Sequence, residues 1–150
     1  MDISGFFEML PSAGTMAEKV RRLQSEVAKL PQVEPVTKHH FADGMYCREV
    51  YRDAGVLVVG KVHKREHFYY IASGTVRVTT DDGLKEITGP AMVVSKPGTK
   101  RAVFALTDAT CLTVHRTDKT DLDEIERELI EDEPDSLFDA GNKRKMEVLP

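Results

Sequence analysis

The sequence predicts an all-β fold, one jelly-roll barrel flanked by an N-terminal and a C-terminal helix. Residues 36–117 break into about eight short β-rich runs separated by turn-forming residues. No helical periodicity falls among them, the pattern of a sandwich or closed barrel. On each side of this stretch, apolar residues recur at helical spacing instead. A chain of 150 residues suits a single domain with a modest core.

Residues 1–35 are read as an N-terminal apolar arm and amphipathic helix, 36–117 as the barrel, and 118–150 as an acidic helix with a polar tail. In the arm, Phe6, Phe7, Met9 and Leu10 form a small apolar patch before Pro11. It is expected to dock on the barrel or on a neighbouring subunit. A helix over 15–30 follows, with Thr15 as N-cap, Glu18 at the capping-box position and Pro31 as stop. Met16, Val20, Leu23, Val27 and Leu30 place one apolar stripe along it. The helix is expected to lie on its own barrel, with pairing between subunits as the alternative.

The strand candidates are Met45–Arg52, Val56–Val62, Phe68–Ile71, Thr75–Thr80, Lys85–Thr88, Ala91–Ser95, Arg101–Leu106 and Thr110–Arg116. Between them lie Asp43-Gly44, Ala54-Gly55, Ser73-Gly74, Asp82-Gly83, Gly89-Pro90 and Pro97-Gly98, all turn chemistries. A second helix is expected over 120–133, with Leu122, Ile125, Leu129 and Ile130 inward, acids in its first turn and Pro134 at its end. The rest, through Lys143-Arg144-Lys145, is expected to be loosely ordered.

The net charge of −4 is unevenly spread. Residues 118–150 hold 12 acidic and 5 basic side chains, which leaves the first 117 residues at +3. Overall acidity argues against nucleic acid as the main partner. No apolar run reaches the roughly 18 residues needed to cross a bilayer, so no membrane partner is expected. The start Met1-Asp2-Ile3-Ser4 lacks the features of a secretory signal. Cys47 and Cys111 are far apart, without a CxxC pair, and read as reduced packing residues of a cytoplasmic protein.

The densest chemistry lies in Gly60–Gly74. Here His63-Lys-Arg-Glu66-His67 spells H-x-x-E-H, a zinc-peptidase signature that works only on a helix. The segment sits between β-rich runs, so the peptidase reading fails. Alternation puts Lys61 with His63, and His67 with Tyr69, on common faces. If Lys61, His63, His67, Tyr69 and Arg101 face the interior, they make a basic pocket for a small phosphate or carboxylate. Lys64, Arg65, Lys96 and Lys100 read as solvated turn residues. His115 alternates with Cys111 and Thr113, opposite Leu112 and Val114, and reads as facing outward. His39 and His40 read as loop or packing residues. Ser73 has no nucleophile context, nor has either cysteine.

Gly60–Gly74 resembles the first motif of the cupin superfamily, whose ligands hold a divalent metal such as zinc, iron, manganese or nickel. Gly89–Arg101 resembles the second. The resemblance implies a cupin-type jelly-roll barrel. It places His63 at the family's second His, His67 at its Glu, Lys61 at its first His and Arg101 at its last. Arg cannot ligate a metal at neutral pH, and Lys does so only without its proton. His63 and His67 therefore stand as an incomplete metal pair, with Glu66, His39, His40 or His115 as a third ligand. The stretch from His39 to about Glu126 is similar to small cupin-like proteins encoded by tailed bacteriophages and prophages. Gly44–Glu49, His63–His67, Ser95–Arg101, Val114-His115 and Asp121–Glu126 carry that likeness.

The resulting expectation is a cupin-like binding or assembly protein of phage origin. It would act without metal catalysis as a homodimer, with a pocket for a small anion. The alternative is a metal-dependent cupin enzyme of isomerase or oxygenase type, working on a small polar molecule through His63 and His67.

Overall fold

The computed structural model describes residues 14–133 and 136–145. The Phe6–Leu10 patch and Pro134 lie outside them. Helix α1 spans Met16–Val27. Nine strands follow: β1 (Val36–Ala42), β2 (Met45–Arg52), β3 (Leu57–Val59), β4 (His67–Ser73), β5 (Thr75–Thr80), β6 (Gly83–Thr88), β7 (Ala91–Ser95), β8 (Ala102–Ala105) and β9 (Ala109–Arg116). Helix α2 (Leu122–Leu129) comes last. The expected all-β jelly roll with flanking helices is the fold observed.

Two antiparallel sheets face each other. One runs β1-β2-β9-β4-β7 and the other β3-β8-β5-β6. Tyr69, Ile71 and Cys111 from the first meet Val76, Val78 and Val103 from the second in the interlayer core. Gly74 turns β4 into β5 at φ +84°, where any Cβ would collide with the Asp108 carbonyl. Strand β1 lies ahead of the runs singled out from sequence and pairs with β2 along its whole length. It is a sheet edge with little burial, so no strict alternation marked it. His39 and His40 therefore sit on a strand. His39 Nδ1 lies 2.6 Å from the Tyr46 hydroxyl, and His40 faces Glu49.

The Thr15 hydroxyl accepts the Glu18 amide and starts α1. Val20 and Leu23 are buried against Leu57, Ala102 and Phe104 on the outer face of the four-stranded sheet. The helix thus lies on its own jelly roll.

Asp121 caps α2 through the Glu124 amide. Ile125 and Leu129 pack on Tyr46, with Leu122 and Ile130 beside them. The helix is shorter than the sequence suggests, because the chain after Leu129 turns extended and pairs with the β3–β4 connection. The Lys64 amide donates to the Leu129 carbonyl and the Glu131 amide to the Val62 carbonyl. Side chains reinforce this seam. Lys61 pairs with Glu126, and Arg65 with Glu128 at 3.1 Å. Lys100 pairs with Glu133 at 2.9 Å, both side chains buried.

Two expectations change here. Lys100 is not a solvated turn residue but 4% exposed. Residues 136–145 are not loose: Phe138 bridges Arg144, and Asn142 donates to the Thr37 hydroxyl. The polar composition concealed contacts made through backbone and amide groups.

Deleting one partner of a buried ion pair leaves the other charge uncompensated, at a cost of about 3–5 kcal/mol. Glu133→Ala is therefore expected to lower unfolding free energy by about 3 kcal/mol in urea titrations. Glu66→Ala, at an exposed pair with Lys96, should change it by less than about 1 kcal/mol.

A histidine cluster and an arginine-lined cavity

Three imidazoles meet at one end of the interlayer space. His63 comes from the β3–β4 connection, His67 opens β4 and His115 lies near the end of β9. Ring centroids are 4.1–4.8 Å apart, and His63 Nδ1 lies 2.7 Å from His115 Nε2. His67 Nδ1 is 3.0 Å from the Arg65 carbonyl, which fixes it as the donor and leaves Nε2 free. His115 thus points inward and is 4% exposed. The outward expectation fails because β9 turns its polar face, Cys111, Thr113 and His115, toward the interior. Leu112 and Val114 instead share a face with Phe68 and Tyr70.

All three histidines are held neutral. Burial lowers His63 well below the usual range, with His67, His115, Arg48 and Arg101 adding to the effect. Burial lowers His115 to about 3, again helped by His67 and by Arg48. His67 is lowered by burial and Arg101 against the opposing bond to the Arg65 carbonyl.

Neutral imidazoles are the metal-binding form. Their three ligand atoms lie within 4.8 Å of one another. The donor set fits a divalent ion, although the 2.7 Å His63–His115 approach must open to about 3.3 Å for tetrahedral ligation. Glu66 does not join: it pairs with Lys96 at 2.7 Å in solvent. His39 and His40 are also elsewhere, on β1.

Beside the cluster opens a cavity of about 410 Å³. Lys61, His63, His67, Tyr69 and Arg101 all line it. Lys61 is already paired with Glu126. Arg101 donates to the Ser95 hydroxyl at 3.1 Å and stacks 4.8 Å above the Tyr69 ring. Burial pushes the Tyr69 hydroxyl up to about 12 despite the neighbouring guanidiniums of Arg52 and Arg101.

Two further cavity residues, Arg48 and Arg52 on β2, were not singled out from sequence. Their spacing with Tyr46 and Val50 was the available signal, since all four share one face. Arg48 donates to the Ala140 carbonyl at 3.3 Å, and Arg52 to the Tyr69 hydroxyl at 3.4 Å. The Nε of each is buried without a partner. Among the described residues, no carboxylate lies within ion-pair distance of Arg48, Arg52 or Arg101.

No family model and no curated protein matches the chain. Solved structures do. A cupin superfamily protein from Desulfitobacterium hafniense is 14% identical, covering 61% of this chain and 87% of its own, at TM-score 0.50. The Cupin_2 domain of an XRE family transcriptional regulator from Enterobacter cloacae is 13% identical, covering 58% and 100%, at TM-score 0.49. A conserved protein of unknown function from Streptococcus pyogenes is 16% identical, covering 60% and 80%, at TM-score 0.47. The first of these establishes that the chain has the cupin jelly-roll fold. At such identity it shows the fold alone. Among the described residues no helix is long and apolar enough to cross a membrane.

The depressed histidines carry a pH dependence. Unfolded, they titrate near 6.5; folded, His63 and His115 take a proton only at much lower pH and His67 at a lower one, so acid favours unfolding. Their contribution to stability is present above about pH 6.5 and is lost as pH falls toward 3. Measured in chelator, the urea midpoint should fall between pH 6.5 and 4.5. His115→Gln should flatten that slope.

Proposed function

We propose that the protein is a ligand-binding cupin that takes a small organic anion into the cavity between its sheets. The carrying observation is the group of three guanidiniums, Arg48, Arg52 and Arg101, that line the cavity without an ion-paired carboxylate. Burying a cation costs several kcal/mol unless it is paired. An anionic ligand would supply charge-assisted hydrogen bonds to the guanidinium donors that face the cavity. Lys61 and Lys100 contribute less, because Glu126 and Glu133 already neutralise them. The cavity lies within the size range of small-molecule sites.

A second reading rests on the imidazole cluster. His63, His67 and His115 would hold a divalent metal, which supplies Lewis-acid polarisation of a bound ligand. The protein's own part is to keep the imidazoles unprotonated and His67 oriented. This is the route by which the fold would support isomerase or oxygenase chemistry. Tailed-phage origin and a role as a non-catalytic assembly component rest on the sequence resemblance. A homodimer draws support from Phe68, Met92 and Val94, exposed on the five-stranded sheet.

Small carboxylates and phosphates are expected to raise Tm by several degrees, since a hundredfold excess over Kd adds about 2.7 kcal/mol. Neutral analogues should not. A shift that survives Arg101→Ala overturns the pocket assignment. For the metal, tag-free protein should retain one equivalent of zinc or iron that His115→Ala loses. Absence of metal after loading rejects the second reading.

A further inference from the structure

We infer that the cavity selects an organic dianion with an apolar body, its two negative charges shared between Arg52 and Arg101 across Tyr69. This deepens the anion-pocket reading and rests on it. Lys61, Lys100, Arg48, Arg52 and Arg101 are the lysines and arginines of the cavity wall, and carboxylates attract the first three, the lysines as ion pairs and Arg48 only at longer range. Lys61 has Glu126, and Lys100 has Glu133. Arg48 is attracted by Glu126 and Asp139 and donates to the Ala140 carbonyl. Arg52 and Arg101 have no such neighbour. Their contacts are instead with Tyr69, whose hydroxyl accepts from Arg52 and whose ring lies under Arg101. Two positive charges are left over.

Both surplus charges touch one side chain. Arg101 covers the face of the Tyr69 ring, and Arg52 reaches its hydroxyl. Arg52 is only 9% exposed, its bond to the hydroxyl is long and its Nε is unmet. A monoanion would satisfy one guanidinium and leave the other buried without counter-charge, an expensive state. A compact dianion satisfies both. Its two charges would be spaced as in a short dicarboxylate, or gathered on one phosphate monoester.

The body follows from volume and walls. About 410 Å³ far exceeds what an inorganic ion fills. Val50, Val58 and Val103 supply apolar wall. His63 and His67 also line the cavity and add hydrogen-bonding capacity.

Calorimetry on the full chain with four probes tests this: succinate, butyrate, propyl phosphate and inorganic phosphate. Succinate is expected to bind at least about tenfold more tightly than butyrate, about 1.4 kcal/mol. Propyl phosphate should likewise exceed inorganic phosphate, and the stronger of the two organic dianions identifies the head group. Arg101→Gln should bring succinate and butyrate to within about twofold of each other, while butyrate still binds. Arg52→Met should do the same; if it fails to fold by circular dichroism, Arg101→Gln alone decides. Equal binding of succinate and butyrate by the native chain, with propyl phosphate no tighter than either, overturns the dianion inference and leaves the anion pocket standing. So does a succinate preference untouched by Arg101→Gln. If none of the four binds, both readings fall.

Discussion

The seam between the acidic C-terminal segment and the basic β3–β4 connection is the contact on which the site depends. Glu126, Glu128 and Glu133 meet Lys61, Arg65 and Lys100, while backbone bonds from Leu129 and Glu131 run alongside. Without it, the connection carrying His63 would be a positively charged loop repelling itself. With it, that loop is a wall. The uneven charge of the chain, acidic after residue 117 and mildly basic before it, thus has a structural use. The two parts neutralise each other across the fold.

What this neutralisation omits is equally informative. The lysines near the cavity have carboxylate partners, whereas Arg52 and Arg101 do not. Arginine tolerates such burial better, because its charge is delocalised over a plane that stacks on an aromatic ring. Arg101 over Tyr69 shows this arrangement. Burial first, and then Arg101 and Arg48, keep the adjacent imidazoles unprotonated. One set of charges therefore leaves the cavity wall positive and three neutral imidazoles at its edge.

Most of the fold was legible in the chain, because turn residues punctuated the strands and the helical stripes were clean. Thr15 and Asp121 cap where capping chemistry places them. The site was legible only in part, and for one physical reason. The rule that apolar side chains face inward inverts wherever the interior is a polar cavity. On β9, Leu112 and Val114 suggested the buried face, yet Cys111, Thr113 and His115 occupy it. On β2, Arg48 and Arg52 were not singled out, although they share the inward face of Tyr46 and Val50 and line the cavity. Lys100 shows the converse limit, since only its distant partner Glu133 makes its burial tolerable. Motif spacing singled out His63, His67 and Arg101, and strand alternation Tyr69; all four line the cavity.

The wiring of the sheets has a kinetic consequence. Strand β2 pairs with β9 across some sixty residues, and β3 pairs with β8 across more than forty. Contacts so distant in sequence form slowly, because loop closure precedes any gain from pairing. The cavity draws Arg48 from one end of this span and Arg101 from near the other, and its wall is clamped by residues later still. No early folding fragment can contain a binding-competent site. On the proposed reading, ligand capture would mark completion of the whole topology, so that a ligand would stabilise the finished protein without hastening its assembly.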